Sequence, residues 1–159
     1  MGASELWVES YQGEVLGEAL FGSLATCEAY RDHSDELQVL TLLERATKEL
    51  AEPVFERRHL DRGDTAATLA NATELADAIA GITWEEFLKS FESVTEQFLA
   101  KYRELVVLAS DDTEREIAET YVAHEEALAS FARRSLGTEV GDPLELIMAL
   151  PHVAAATSA

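Results

Sequence analysis

The sequence predicts an all-α chain, on three observations. Four long segments separated by polar turns carry apolar residues at steps of three and four, the spacing that keeps side chains on one face of a helix. Capping signals stand at the segment boundaries. The clearest is Thr83-Trp-Glu-Glu86, in which Thr and Glu satisfy each other's free amides. Acidic residues also interrupt the apolar stripes of two segments, at Glu18 and Glu44, a placement tolerated only when the charge is paired, metal-bound or neutralised. At 159 residues the chain fits one domain that can bury a full core without disulfides or a structural metal.

The first helix is expected over residues 4–30. Trp7, Tyr11, Glu14, Glu18, Phe21 and Ala25 share one face, and Leu6, Leu16, Leu20, Leu24 and Cys27 line the other. A surface helix has one apolar stripe. This one is therefore central or shared with a second copy, and a homodimer through it is expected, with light scattering as the check. A polar turn, Arg31 to Asp35, follows, with His33 expected to face solvent. The second helix starts near Asp35 and carries Leu37, Leu40, Glu44, Thr47, Ala51 and Val54 inward; Pro53 should kink or restart it, and His59 lies at its frayed end.

Residues 65–82 are rich in Ala and Thr and only weakly periodic. They read as a crossover with a short helix over 71–80, the connection required when the second and third helices run the same way. The third helix opens at Thr83, with a core line of Trp84, Phe87, Phe91, Val94, Thr95, Phe98, Tyr102, Leu105 and Ala109. Glu92 lies roughly 80–100° off that line. The fourth helix starts after Ser110-Asp-Asp and stops at Leu136-Gly137, with Ile117, Tyr121, His124, Leu128 and Ala132 inward and Glu125 beside them. Residues 1–137 form the main domain. Residues 138–159 hold a short helix opened by Asp142-Pro143 and a disordered-looking Ala-rich end.

Composition excludes several functions. Twelve Lys and Arg stand against 31 Asp and Glu, a formal net charge of −19 that repels phosphate backbones and anionic lipid surfaces, so neither nucleic acid nor a membrane is an expected partner. The excess acid reads as a solubilising surface. No apolar run, Leu105 to Ala109 included, is long enough to span a bilayer, and the N-terminus lacks the pattern of a signal peptide. A single Cys27 rules out an intrachain disulfide and suits a reducing, cytoplasmic setting; its place on the face opposite Glu18 gives it a packing role. Arg57-Arg58 and Arg133-Arg134 fall near helix C-termini, where cations complement the macrodipole. There is no Gly-rich phosphate loop, no Ser in an elbow setting and no second Cys for a thiolate site.

Acids and His projecting inward from four long helices is how helical bundles build metal sites: a Glu from each of two helices and Glu-x-x-His from each of the others. On this pattern the chain resembles the ferritin-like superfamily, rubrerythrin-type sequences in particular, over about residues 5 to 136. The resemblance implies a ferritin-like four-helix bundle with a crossover between the second and third helices and a short C-terminal helix.

Carried over by position, Glu18 resembles the ligand of the first helix. Glu44-Arg-Ala-Thr47 resembles Glu-x-x-His with Thr in place of His, and Tyr121-Val-Ala-His124-Glu125 keeps His but has Tyr where Glu is expected. The third-helix ligand would fall near Glu92 or Thr95. Glu18, Glu44 and His124 survive cleanly, while Glu125, Glu92 and Glu14 are replacements. The implied cofactor is one or two ions of Fe or Mn; Glu18, Glu44 and His124 would also suit a single Zn. An ion with an open position would activate oxygen or peroxide, or polarise a bound group. The competing expectation is a metal-free dimeric bundle used for interaction. In it His124, Glu18 and Glu44 form a buried network completed by hydroxyls of Tyr11, Tyr102 or Tyr121.

Overall fold

A computed structural model describes residues 1–158, which are helical with no strand among them. The elements are α1 (Ala3–Ala25), a 3₁₀ turn (Glu28–His33), α2 (Ser34–Leu50), α3 (Glu52–Arg58), α4 (Thr65–Ile79), α5 (Trp84–Val107), α6 (Asp112–Ser135), α7 (Glu145–Met148) and α8 (Pro151–Thr157). α1 packs along α2 and α5 along α6, as two hairpins. α4 lies on α1, and α8 lies on α2.

The local chemistry explains the boundaries. α1 stops at Ala25, earlier than the expected Tyr30, because the chain turns through a 3₁₀ segment with Cys27, partly exposed, at its start. Pro53 restarts the helix, so α3 follows α2 after Ala51. The capping box at Thr83 is present: the Glu86 N–H donates to Thr83 Oγ1 at 3.1 Å and the Thr83 N–H to Glu86 Oε2 at 2.8 Å. Asp111 caps α6, and Gly137, at φ +79°, ends the turn that follows it.

The crossover helix starts six residues ahead of the expected position. Asp64 accepts from the Ala67 N–H and opens α4 at Thr65. Gln12 of α1 then holds its first turn, donating to the Arg62 carbonyl and accepting from Thr68 Oγ1. At the far end the Tyr30 hydroxyl meets the carbonyls of Ile79 and Ile82, at 2.7 and 3.0 Å. α5 therefore begins where α2 begins. His33 corrects the solvent-exposed expectation: it stacks on Trp84, with centroids 3.9 Å apart and planes 4° from parallel. The C-terminal segment differs too. Two short helices replace one helix and a loose end, because Ile147 and Val153 are fully buried against the rest of the chain.

The core has two apolar halves. One holds Phe21, Leu24, Leu37, Leu40, Leu43, Phe87, Leu88, Phe91, Leu128 and Phe131; the other holds Leu6, Trp7, Tyr11, Val15, Ala51, Val54, Phe55, Tyr102, Leu105, Ile117, Ala118 and Tyr121. On each of the four long helices a buried polar residue falls between the halves: Glu14, Glu44 and Thr47, Thr95, and His124 with Glu125. A polar layer thus divides the interior. The second apolar stripe of α1 is largely covered within the chain, since Leu24 is fully buried and Leu16 and Leu20 are half-buried under α4.

The two Arg pairs do stand in last helical turns, but specific carboxylates hold them. Arg58 of α3 donates to both oxygens of the buried Glu114 at 2.7 and 2.9 Å and to Ser4 Oγ at 3.1 Å. Arg57 pairs with Asp111, and Arg133 and Arg134 pair with Glu139. Among the described residues, no helix is long and apolar enough to cross a membrane.

Candidate metal centre

Glu14 from α1, Glu44 and Thr47 from α2, Tyr102 from α5, and His124 and Glu125 from α6 meet in the polar layer, all of them buried. Regular 3.6-residue periodicity puts each one turn away from apolar neighbours, so helix packing alone delivers them to one depth. His124 anchors the group. Its Nδ1 lies 3.0 Å from Thr47 Oγ1 and its Nε2 3.2 Å from Glu44 Oε1. Glu14 Oε2 is 3.6 Å from Nδ1 and Glu125 Oε1 is 3.9 Å from Nε2. The Tyr102 hydroxyl donates to Glu14 Oε1 at 3.1 Å. Thr95 takes no part, because its hydroxyl bonds back to the Phe91 carbonyl.

Thr47 extends the network to a second imidazole, with His152 Nε2 of α8 standing 2.8 Å from Thr47 Oγ1. A hydroxyl has one proton, so Thr47 donates to one imidazole and accepts from the other. Burial and the neighbouring His124 push His152 down to about 4, which leaves it neutral and able to accept. With Thr47 donating to His152, the Thr47 oxygen accepts from His124 Nδ1, and Nε2 is the nitrogen left to face Glu44 and Glu125. Hydrogen-bond partners on the far nitrogen set the tautomer of metal-binding histidines in this way.

The electrostatics are unbalanced, with three buried carboxyl groups surrounding one imidazole. Burial pushes Glu14 well above the usual carboxylate range and the charge of Glu44 adds to this, while His124 works against it. Burial likewise pushes Glu44 and Glu125 up to about 8. No donor reaches Glu14 Oε2, which is buried. The Glu44 carboxyl lies beside Glu14 instead. Carboxyl groups crowded together away from water are held by a proton or a cation.

The donor set passes the test of fit for an ion. Glu14, His124 and Glu125 each offer an atom within 4.8 Å of the other two. Opposed ligands of an ion bound at about 2.1 Å stand about 4.2 Å apart, so a small inward movement closes the set. Glu44 borders it through Nε2 of His124.

Gly17 makes room for Glu44. A Cβ at Gly17 would stand 2.5 Å from the Glu44 carboxyl carbon. Gly17→Ala gains about 1 kcal/mol of helix propensity. It is nevertheless expected to destabilise the chain by about 1–2 kcal/mol, as overpacking in a filled interior does. Thermal denaturation is the check, and an unchanged or raised Tm would show that Glu44 swings clear without loss.

Of the residues singled out from sequence, Glu44, His124 and Glu125 converge. Glu18 and Glu92 do not. Glu18 follows Glu14 by four residues and so lies roughly 40° further round the helix, at the seam with α2. There Arg45 and Lys48 donate to it at 2.9 and 2.5 Å and hold its carboxyl below the usual range against partial burial. Glu92 is exposed on α5. Glu14, and not Glu18, is the acid that α1 contributes to the buried layer. Of the three tyrosines named for the network, Tyr102 joins it through its bond to Glu14, whereas the buried Tyr121 hydroxyl has no partner. His152 was missed; a lone His after Pro151 in an Ala-rich tail gives no periodic signal.

No family model matches the chain, and no curated protein or solved structure matches it either.

Proposed function

We propose that the chain is a ferritin-like four-helix bundle that holds a single transition-metal ion, Mn, Fe or Zn, through Glu14, His124 and Glu125, with Glu44 as the adjoining carboxylate. α1, α2, α5 and α6 are the four helices of this reading and α4 is the crossover. The observation that carries it is the buried cluster in which Glu14, His124 and Glu125 each offer an atom within 4.8 Å of the other two, in a layer where one imidazole faces three acids. An ion answers that imbalance without protonating the acids. Such a site is rich in oxygen donors and has one nitrogen, a set that suits Mn, Fe or Zn. Thr47 where a second His would stand supports one ion over two. When bound, an ion with an open position supplies Lewis acidity or redox chemistry toward oxygen or peroxide. The chain's own part is to hold the ligands apart from water, to fix the His124 tautomer through Thr47 and His152, and to orient Glu14 through Tyr102.

A metal-free network is the competing reading, favoured by the raised values of Glu44 and Glu125, which let both acids stay protonated near neutrality. Elemental analysis of protein purified without chelator separates the two. Stoichiometric metal is expected in the parent chain and a loss of at least tenfold in Glu14→Gln, which keeps the side-chain shape and the Tyr102 contact. Circular dichroism confirms that the variant is folded. Substoichiometric metal in the parent, even after refolding with Mn, Fe or Zn, ends the proposal.

A further inference from the structure

The polar layer is reached from one side by a cavity of about 440 Å³ between α1, α4 and α5. That volume lies within the range of about 300–1,000 Å³ in which proteins hold small molecules. Its inner end is formed by Glu14, Glu44, Glu125 and Tyr102, and its walls include Leu16, Leu20, Ile79, Phe91 and Phe98. The outer rim is apolar and open, with Leu75 36%, Ile82 39% and Val94 47% exposed. Gly13 and Gly17 of α1 help to keep the space, since a Cβ at Gly13 would meet the Phe98 ring at 3.0 Å. Among the described residues that line the cavity there is no Lys, Arg or His.

These features limit what fits. An apolar cavity ending on acids, with no basic side chain in its lining, gives an anion no side-chain partner for its charge and a wholly polar molecule no return for its desolvation. A hydrogen-bond donor at the inner end meets carboxylate oxygens. Since the cation at that end is the ion of the preceding reading, the ligand's own polar end is uncharged.

We infer that the cavity binds an uncharged aliphatic or aromatic molecule bearing a hydroxyl at one end. The apolar body lies against α4 and α5, and the hydroxyl faces Glu14, Glu44 and Glu125. The inference rests on the metal reading for the ligand's uncharged end and for what the cluster does to it, but binding is measured apart from metal content.

The test is calorimetric titration of the full chain with 1-octanol, octanoate and octylamine, with and without added Mn, in salt that screens the net charge of −19. Octanol is expected to bind saturably and octanoate at least tenfold more weakly. Val94→Trp at the rim and Leu20→Trp in the wall should each weaken octanol at least tenfold, while metal content stays at the parent level. Val94 is half-exposed, so its replacement leaves the core intact. Absent saturable binding, equal affinity for octanoate, or octanol binding unchanged in both variants overturns the inference. So does octylamine that binds tenfold more tightly than octanol and expels the metal. A stable dimer by light scattering without octanol binding also overturns it, and assigns Leu75, Ile82 and Val94 to a second copy. Octanol binding to a chain that takes up no metal leaves the pocket standing and removes only the metal reading.

Discussion

Stripped of metal, the chain is expected to lose stability as pH rises from about 5 to about 8, at roughly 1 kcal/mol per pH unit for each of Glu44 and Glu125. The sign follows from proton binding. Burial raises both groups from 4.5 in the unfolded chain to about 8 in the fold, so across that window the folded chain holds protons that the unfolded one has released. The stabilisation is complete below about 4.5 and is lost as pH passes through about 8.

Metal ligands bind deprotonated, so the gain in Tm on adding Mn should be larger at pH 8 than at pH 5. Thermal unfolding in chelator and then in Mn, at several pH values and high salt, measures both trends. A Tm in chelator that stays level from pH 5 to 8 would mean that the acids are ionised in the fold. The charge imbalance would then need another explanation.

Arg58→Ala is expected to destabilise the chain by about 3 kcal/mol, the low end of what losing one partner of a buried ion pair costs, because Arg58 itself is partly in water. Glu114 is 1% exposed. Its carboxyl is held down to about 2 by the Arg58 guanidinium, against burial, with help from the Ser110 N–H. The pair joins the ends of α1, α3 and α6, so the loss spreads beyond one contact. For a chain of this length the Tm should fall by roughly 6–12 °C. The double variant Arg58→Ala, Glu114→Ala should recover part of that, since no buried charge is then left alone. A loss below about 1 kcal/mol in urea unfolding would put the pair among exposed ones. Its pH dependence runs opposite to that of the central acids, being present above about 4.5 and lost as pH falls toward about 2.

Much of the helical frame was legible in the sequence. The capping box at Thr83, the stop at Gly137 and the restart at Pro53 are short-range devices whose partners lie within a few residues. The inward placement of Glu44 and His124 could also be read from spacing, whereas Glu125 falls only beside that stripe and its burial is set by the packing of α6. α4 was harder: its first turn is held by Gln12, more than fifty residues away, and its own periodicity is weak. His33 and His152 both take their roles from distant elements, Trp84 and Thr47 respectively.

What the sequence determined by itself was therefore a set of helices, their ends, and a short roster of acids and one imidazole that must face inward. Choosing between Glu14 and Glu18 needed tertiary structure. The two share a stripe in any helical projection and differ by a few tens of degrees, so the position of α2, with Arg45 and Lys48 on its near edge, decides which one is drawn out to a cation and which remains inside. Periodicity is a property of the backbone and travels with the local chain. The direction of the core from a given helix is a property of its neighbours, and no local spacing encodes it.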